Sequence, residues 1–363
     1  MRIGVNALYL IPGGVGGTEV YLRNLLAALA ELDHANEYFI FTNRETRDLT
    51  PNAANFHDQP QRVAARIRPA RIVWEQTVLP AAAWKLRLDV LFNPGFTTPA
   101  ACPCARVTVF HDLQHKRHPE YFRWFDLPFW NLMLWLSADV STRLISVSDA
   151  TRQDLKRYYG ADSAVIPHGV SPAFFDIAER RAPERFLLCV STLHPHKNID
   201  GLVRAFAEFR LRHPDFRLVV AGMRGFAADE IDSLIAQLGL GGSVEITGWL
   251  ARDQLLELYR RAWAVVCPSR FEGFGMPALE AMAAGVPLAC SDIPPLREVA
   301  SDCALFFPAD DIVPALERIC FDEELRASLV SAALMRAKEL TWRRAADDTL
   351  AVLTSAASLR AGS

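Results

Sequence analysis

The sequence predicts an α/β protein made of two doubly wound parallel sheets, and three features carry that expectation. Short apolar runs ending in Gly, Pro or Asn alternate with longer segments of helical period, the pattern of parallel strands covered by helices. The alternation pauses at a stretch of weak period, mixed charge and two prolines, residues 171–185, and then starts again. The length of 363 residues suits two domains at roughly 100 to 200 residues each.

The elements follow in chain order. Strands are expected at Arg2 to Leu8, Tyr38 to Thr42, Val90 to Asn93, Arg106 to His111, Leu144 to Val147 and Ala164 to Pro167, with helical stretches between them such as Thr18 to Leu32. This defines a first domain, 1–170, and 171–185 reads as the linker. In the second domain, 186–339, strands are expected at Phe186 to Ser191, Arg217 to Gly222, Val244 to Thr247, Ala264 to Pro268 and Leu288 to Ser291. Residues 340–363 form an Ala- and Leu-rich helix that could pack on either domain, including back on the first. Open α/β sheets bind ligands beyond the carboxyl ends of their strands, so functional residues are expected there.

Composition excludes several classes. Hydrophobic residues at 51% supply two cores, and a net charge of -3 argues against a polybasic grip on nucleic acid. Seven scattered cysteines do not resemble a disulfide framework, and the first residues read as a strand and not as an export signal, so a reducing, cytoplasmic setting is expected. No apolar run approaches the roughly 18 to 20 residues of a membrane-spanning helix, which leaves peripheral membrane contact open.

The chemistry concentrates between Ala264 and Val299. An apolar strand ends at Pro268, a loop carries Glu272, Gly273, Phe274 and Gly275, and Pro277 stands where a first-turn proline starts a helix. Glycines admit close approach of backbone N–H groups, and a helix N-terminus carries about half a positive charge, so this unit suits a phosphate or diphosphate. Glu272 and Glu280 cannot neutralise an anion; beside one, they suit the hydroxyls of a sugar or ribose. An isolated pair of glutamates would as readily cap a loop and face solvent, but the glycine-rich surroundings favour the first reading.

Other strand ends offer further candidates. Lys197 directly precedes a helix whose N-cap is expected to be Asn198, and Arg224 follows the strand RLVVAG; either could meet a diphosphate or be a solvated loop residue. Gly16 and Gly17 belong to GGVGG after the first strand, which fits an approach to an anion or a flexible turn. His111 closes RVTVFHD and His168 closes VIPHG, each as a working or a structural histidine. The HExxH and Asp-x-Asp spacings are absent and Cys102-Pro-Cys104 has no partner pair, so no metal site is expected.

Taken together, FEGFGMPALEAMAAGVP with seven residues between Glu272 and Glu280, VIPHGV, HPHKN, TGWLARDQLLELYRRA and FHD resemble the retaining, nucleotide-sugar-dependent glycosyltransferases of family 4, with the two-domain GT-B fold. The resemblance spans nearly the whole chain. It implies that Glu280 binds the nucleotide ribose, Glu272 the hydroxyls of the donor sugar, and the backbone of Gly273, Phe274 and Gly275 the sugar and diphosphate. By the same resemblance Lys197 pairs with the diphosphate, His111 sits beside the donor sugar, and the loop around Gly16 and Gly17 approaches the diphosphate and acceptor. Thr192 stands where many relatives carry an Arg, so Arg224 is the candidate substitute.

RIVWEQTVLP and FHDLQHKRHPEYF resemble a branch rich in mannosyltransferases acting on surface polysaccharides. That implies GDP-mannose as donor, with a UDP-sugar open, and a glycan or lipid-linked oligosaccharide as acceptor held by the first domain. There Arg62, Arg66, Arg68 and Arg71 and the aromatics of RWFDLPFWNLMLWL fit either a membrane face or ordinary core and solvated surface. A GT-B phosphorylase, a sugar-nucleotide epimerase and a two-domain binding protein of the periplasmic type share the architecture; the last should carry an export signal, and none is visible.

Overall fold

The computed structural model describes residues 1–14, 16–46 and 48–361 and divides the chain into two units, Met1–Gly169 with Trp342–Ser363, and Val170–Thr341. In the first, strands β1 (Arg2–Asn6), β2 (Glu37–Phe41), β3 (Phe56–Asp58), β4 (Val90–Asn93), β5 (Ala105–Phe110), β6 (Arg143–Ser146) and β7 (Ala164–Val165) form one parallel sheet. Its order is β3-β2-β1-β4-β5-β6-β7. Ile3 and Val5 of β1 are fully buried between β2 and β4, as a strand covered on both faces requires.

The second unit repeats the design with β8 (Phe186–Val190), β9 (Arg217–Ala221), β10 (Val244–Gly248), β11 (Ala264–Cys267), β12 (Leu288–Ser291) and β13 (Leu305–Phe307), ordered β10-β9-β8-β11-β12-β13. In each sheet the order reverses beside the first strand, at β1/β4 and at β8/β11. Loops leaving the carboxyl ends there part to opposite faces and open a crevice in that unit. The predicted fold class is what the chain adopts.

Some elements depart from the sequence reading. β3 and β13 are three-residue edge strands, too short for a periodic signal. The stretch 171–185, expected as a linker, contains the helix Pro172–Ala178, because Phe174 and Ile177, three residues apart, bury one face of it. Phe174 meets Tyr259 edge-on at 5.3 Å, and Arg181 donates to the carbonyls of Ala262 and Gly285, so the stretch is built into the second unit. The helix Trp342–Ala361 lies against the helix Gly17–Leu32 and strand β5 in the first unit. All seven cysteines are free thiols, and among the described residues no helix is long and apolar enough to cross a membrane.

Candidate functional site

In the second unit the loops after β8 and β11 leave the point where the sheet order reverses, and they bring two predicted residues together. Lys197, at the end of the short turn Pro195–Lys197, places Nζ 2.7 and 2.8 Å from the two carboxylate oxygens of Glu272. Ser269 Oγ donates to Glu272 Oε1 at 2.7 Å. The side chains are only 20% and 14% exposed, so both charges are partly desolvated and strongly coupled. A diphosphate reaching this ammonium competes with Glu272 for its N–H donors, and each donor it takes frees a carboxylate oxygen to accept a neighbouring hydroxyl.

Asn198 corrects the sequence reading. It occupies the N-cap position of helix Ile199–Arg212, but in the left-handed region at φ 55°, and its side chain does not cap. Its amide instead donates to the carbonyls of Pro268 and Ala309, at 3.1 and 2.9 Å. Fully buried, it ties the loop bearing Lys197 to the end of β11. Asn tolerates this backbone region better than most residues.

Gly275 has φ 109°, and a Cβ there would lie 2.5 Å from Leu296 Cδ2, so glycine alone suits the entry to helix Met276–Ala283. Phe274 is buried beside it. One turn into the helix, Glu280 Oε2 accepts the phenol of Tyr259 at 2.8 Å. Surrounding protein desolvates this carboxyl and pushes its pKa up to about 7, against the pull of the Tyr259 bond and of Arg252.

Arg224, the expected second cation, belongs to an exposed ion-paired cluster. It is half exposed and paired with Asp232, with Asp229 at 3.8 Å. Among the described residues no three His, Cys, Asp or Glu side chains gather as metal ligands would.

In the first unit, Gly16 has φ 57° and precedes helix Gly17–Leu32, which starts one residue before the expected Thr18. The glycine loop is pinned by Glu19, whose Oε2 accepts the Gly13 N–H at 2.7 Å; Glu19 was not singled out in the sequence, although an acidic residue in a first helical turn is a recognisable signal. His111 follows β5, is 7% exposed and lies 2.8 Å from the Pro94 carbonyl through Nε2. A carbonyl can only accept, so Nε2 carries the proton and Nδ1 the lone pair. Burial pushes the His111 pKa down to about 4, keeping the ring neutral. His168 stacks on Trp342 and meets Tyr21 in the same buried aromatic cluster. Gly17 is the first residue of that helix.

Two families match the chain in tandem: Glycosyltransferase Family 4 over residues 15–174 and Glycosyl transferases group 1 over 171–335. The chain is 29% identical to O-antigen chain mannosyltransferase B of Escherichia coli, over 93% of this chain and 94% of that protein. To O-antigen chain mannosyltransferase RfbU of Salmonella typhimurium it is 28% identical, over 68% and 69%. Among solved structures, sucrose-phosphate synthase from Thermosynechococcus elongatus superposes with a TM-score of 0.81 at 19% identity, covering all of both chains. WaaG, a glycosyltransferase involved in lipopolysaccharide biosynthesis, gives 0.73 at 16% identity over 98% of this chain and all of its own.

Proposed function

The chain belongs to the group 1, family 4 glycosyltransferases, and from that premise we propose that it moves a mannosyl group from GDP-mannose to a glycan or lipid-linked glycan in surface polysaccharide synthesis, with retention of configuration. One observation carries the reading: an ammonium and a carboxylate, Lys197 and Glu272, meet beside a glycine-entered helix N-terminus where the second sheet reverses order. Breaking an anomeric C–O bond builds positive character on the sugar and negative charge on the departing diphosphate. Lys197 and the helix N-terminus stabilise the latter. Glu272 takes hydroxyl hydrogens of the donor sugar, and Glu280 those of the ribose.

His111, neutral with its lone pair on Nδ1, accepts a sugar hydroxyl and adds no positive charge beside the developing cation. The acceptor attacks on the face from which the diphosphate leaves, and the diphosphate takes the acceptor proton. The mannosyl donor is supported by relatives named as mannosyltransferases. The first unit holds the acceptor and meets a membrane from its cytoplasmic side. Support for that contact comes from Trp124 (82% exposed), Phe125, Leu132 and Trp135, with Arg68 over the neighbouring Trp130 and Arg123 over Phe125.

Incubation with GDP-mannose or UDP-glucose and a panel of lipid-linked oligosaccharides, read by mass spectrometry, tests the assignment. A mass gain of one hexose from GDP-mannose alone, lost in Lys197→Ala, supports it. Interconversion of the free nucleotide sugar, or phosphate-dependent cleavage of a glycan, would replace it with an epimerase or a phosphorylase.

A further inference from the structure

Two adjacent side chains of helix Arg68–Lys85 hold one loop of the first unit. Glu75, 1% exposed, accepts Thr97 Oγ1 at 2.9 Å and Asn6 Nδ2 at 3.1 Å on the same oxygen. Asn6 Nδ2 also reaches Asn93 Oδ1 at 3.1 Å, which ties the carboxylate to the ends of β1 and β4. Gln76 accepts the Ala100 N–H at 2.8 Å and donates to the Thr98 carbonyl at 3.1 Å. A buried carboxylate is costly to keep, and these bonds give it a function only through the loop they fix.

That loop, 94–100, is strained. Phe96 sits at φ 72°, a left-handed conformation that a non-glycine residue keeps only where its surroundings impose it. The Phe96 ring lies 5.2 Å from the His111 ring, and Pro94 supplies the carbonyl that receives His111 Nε2–H. The same short segment thus bears the clamp contacts at one end and the histidine contacts at the other.

We infer that Glu75 and Gln76 are positioning residues: by clamping 97–100 they hold the turn at Phe96 and the Pro94 carbonyl, which keeps the His111 proton on Nε2 and leaves Nδ1 to accept a hydroxyl of the donor sugar. The inference rests on the role of His111 given above for its catalytic consequence, but not for the tautomer itself. Release of the clamp lets the strained turn relax, takes the acceptor away from Nε2 and allows the proton to divide between the two nitrogens.

The test uses the full chain with 15N-labelled histidine. Wild type should show His111 with Nε2 protonated and Nδ1 bare across neutral pH. Glu75→Gln, and the milder Thr97→Val, should each yield a folded protein whose His111 nitrogen shifts move toward a mixture of tautomers. Release of GDP from GDP-mannose should fall about ten- to a hundredfold in kcat with the donor KM little changed. In a His111→Ala background neither substitution should lower turnover further. Unchanged nitrogen shifts in both folded variants, or a further loss in the His111→Ala background, would overturn the positioning role. If no nucleotide sugar is turned over by wild type, the nitrogen shifts alone still decide it, and the enzyme assignment fails separately.

Discussion

Tyr259 donates its phenol hydrogen to Glu280 at 2.8 Å from a fully buried position, so the acid expected at the ribose is held by a residue 21 positions upstream. The bond favours the ionised carboxylate, and desolvation opposes it.

Binding of GDP should therefore depend on pH. Glu280 exchanges its proton near pH 7 and not near the ordinary 4.5, and the ionised form is the better acceptor for two ribose hydroxyls. Calorimetry should show GDP binding tightening as pH rises through about 7. Glu280→Gln should flatten the profile, and Tyr259→Phe should move its midpoint upward, because the bond that favours ionisation is gone. Stability runs the other way: the raised pKa favours the folded form below about 4.5, and that contribution is lost as pH climbs through about 7. A profile unaltered by Glu280→Gln would remove this residue from the nucleotide site.

Lys197 and Glu272 should behave as a pair in stability and as separate parts in activity. Each alanine variant leaves a partly buried charge without its partner, whereas Lys197→Met with Glu272→Gln removes both charges. Denaturant melts should show the double variant recovering stability lost in the singles. Transfer should stay at least about a hundredfold below wild type in all three if, as proposed, each residue meets a different part of the donor. Recovery of activity in the double variant would mean that the pair is only a structural clasp.

Sequence alone made the fold legible because parallel strands covered on both faces are continuous apolar runs, as in Val90–Asn93 and Ala264–Cys267. It could not show β3 and β13, whose three residues carry no period. Glu272 and Lys197 were visible as strand-end residues, but their contact joins positions 75 apart and depends on β8 lying beside β11. The pairing of Arg224 with Asp232 was hidden for a similar reason: Asp232 reaches it from the next helix, which composition does not reveal. Glu75 lies within RIVWEQTVLP, where nothing local distinguishes a buried glutamate from a solvated one.

Gly201→Ala should destabilise the chain although alanine is the better helix former by about 1 kcal/mol. A Cβ at Gly201 would lie 2.5 Å from Asn198 Oδ1, and Asn198 is held from its other side by Pro268 and Ala309. Its amide cannot retreat without giving up those bonds, and a loss of about 1–3 kcal/mol is expected in chemical unfolding. Donor turnover should fall as well, since Lys197 is the preceding residue. Unchanged stability would show that Asn198 yields easily and is not what fixes this loop.

The exposed aromatics of the first unit should govern attachment to lipid without governing the fold. Trp124 and Phe125 meet edge to face at 5.8 Å just before helix Leu127–Val140, and Leu132 and Trp135 follow one turn apart on it, all largely exposed. Arg68 stacks over Trp130 while paired with Asp126, and Arg123 lies over Phe125, so cationic side chains border the apolar surface. Substituting Trp124, Phe125 and Trp135 together by serine removes side chains that contribute little to the core and should leave the melting temperature within a few degrees. Sedimentation with vesicles containing phosphatidylglycerol should drop sharply in that variant. Added salt should weaken the wild-type association only in part, because the apolar share of the attachment is insensitive to screening. Equal sedimentation of variant and wild type would assign these side chains some other partner and leave the acceptor to arrive by another face.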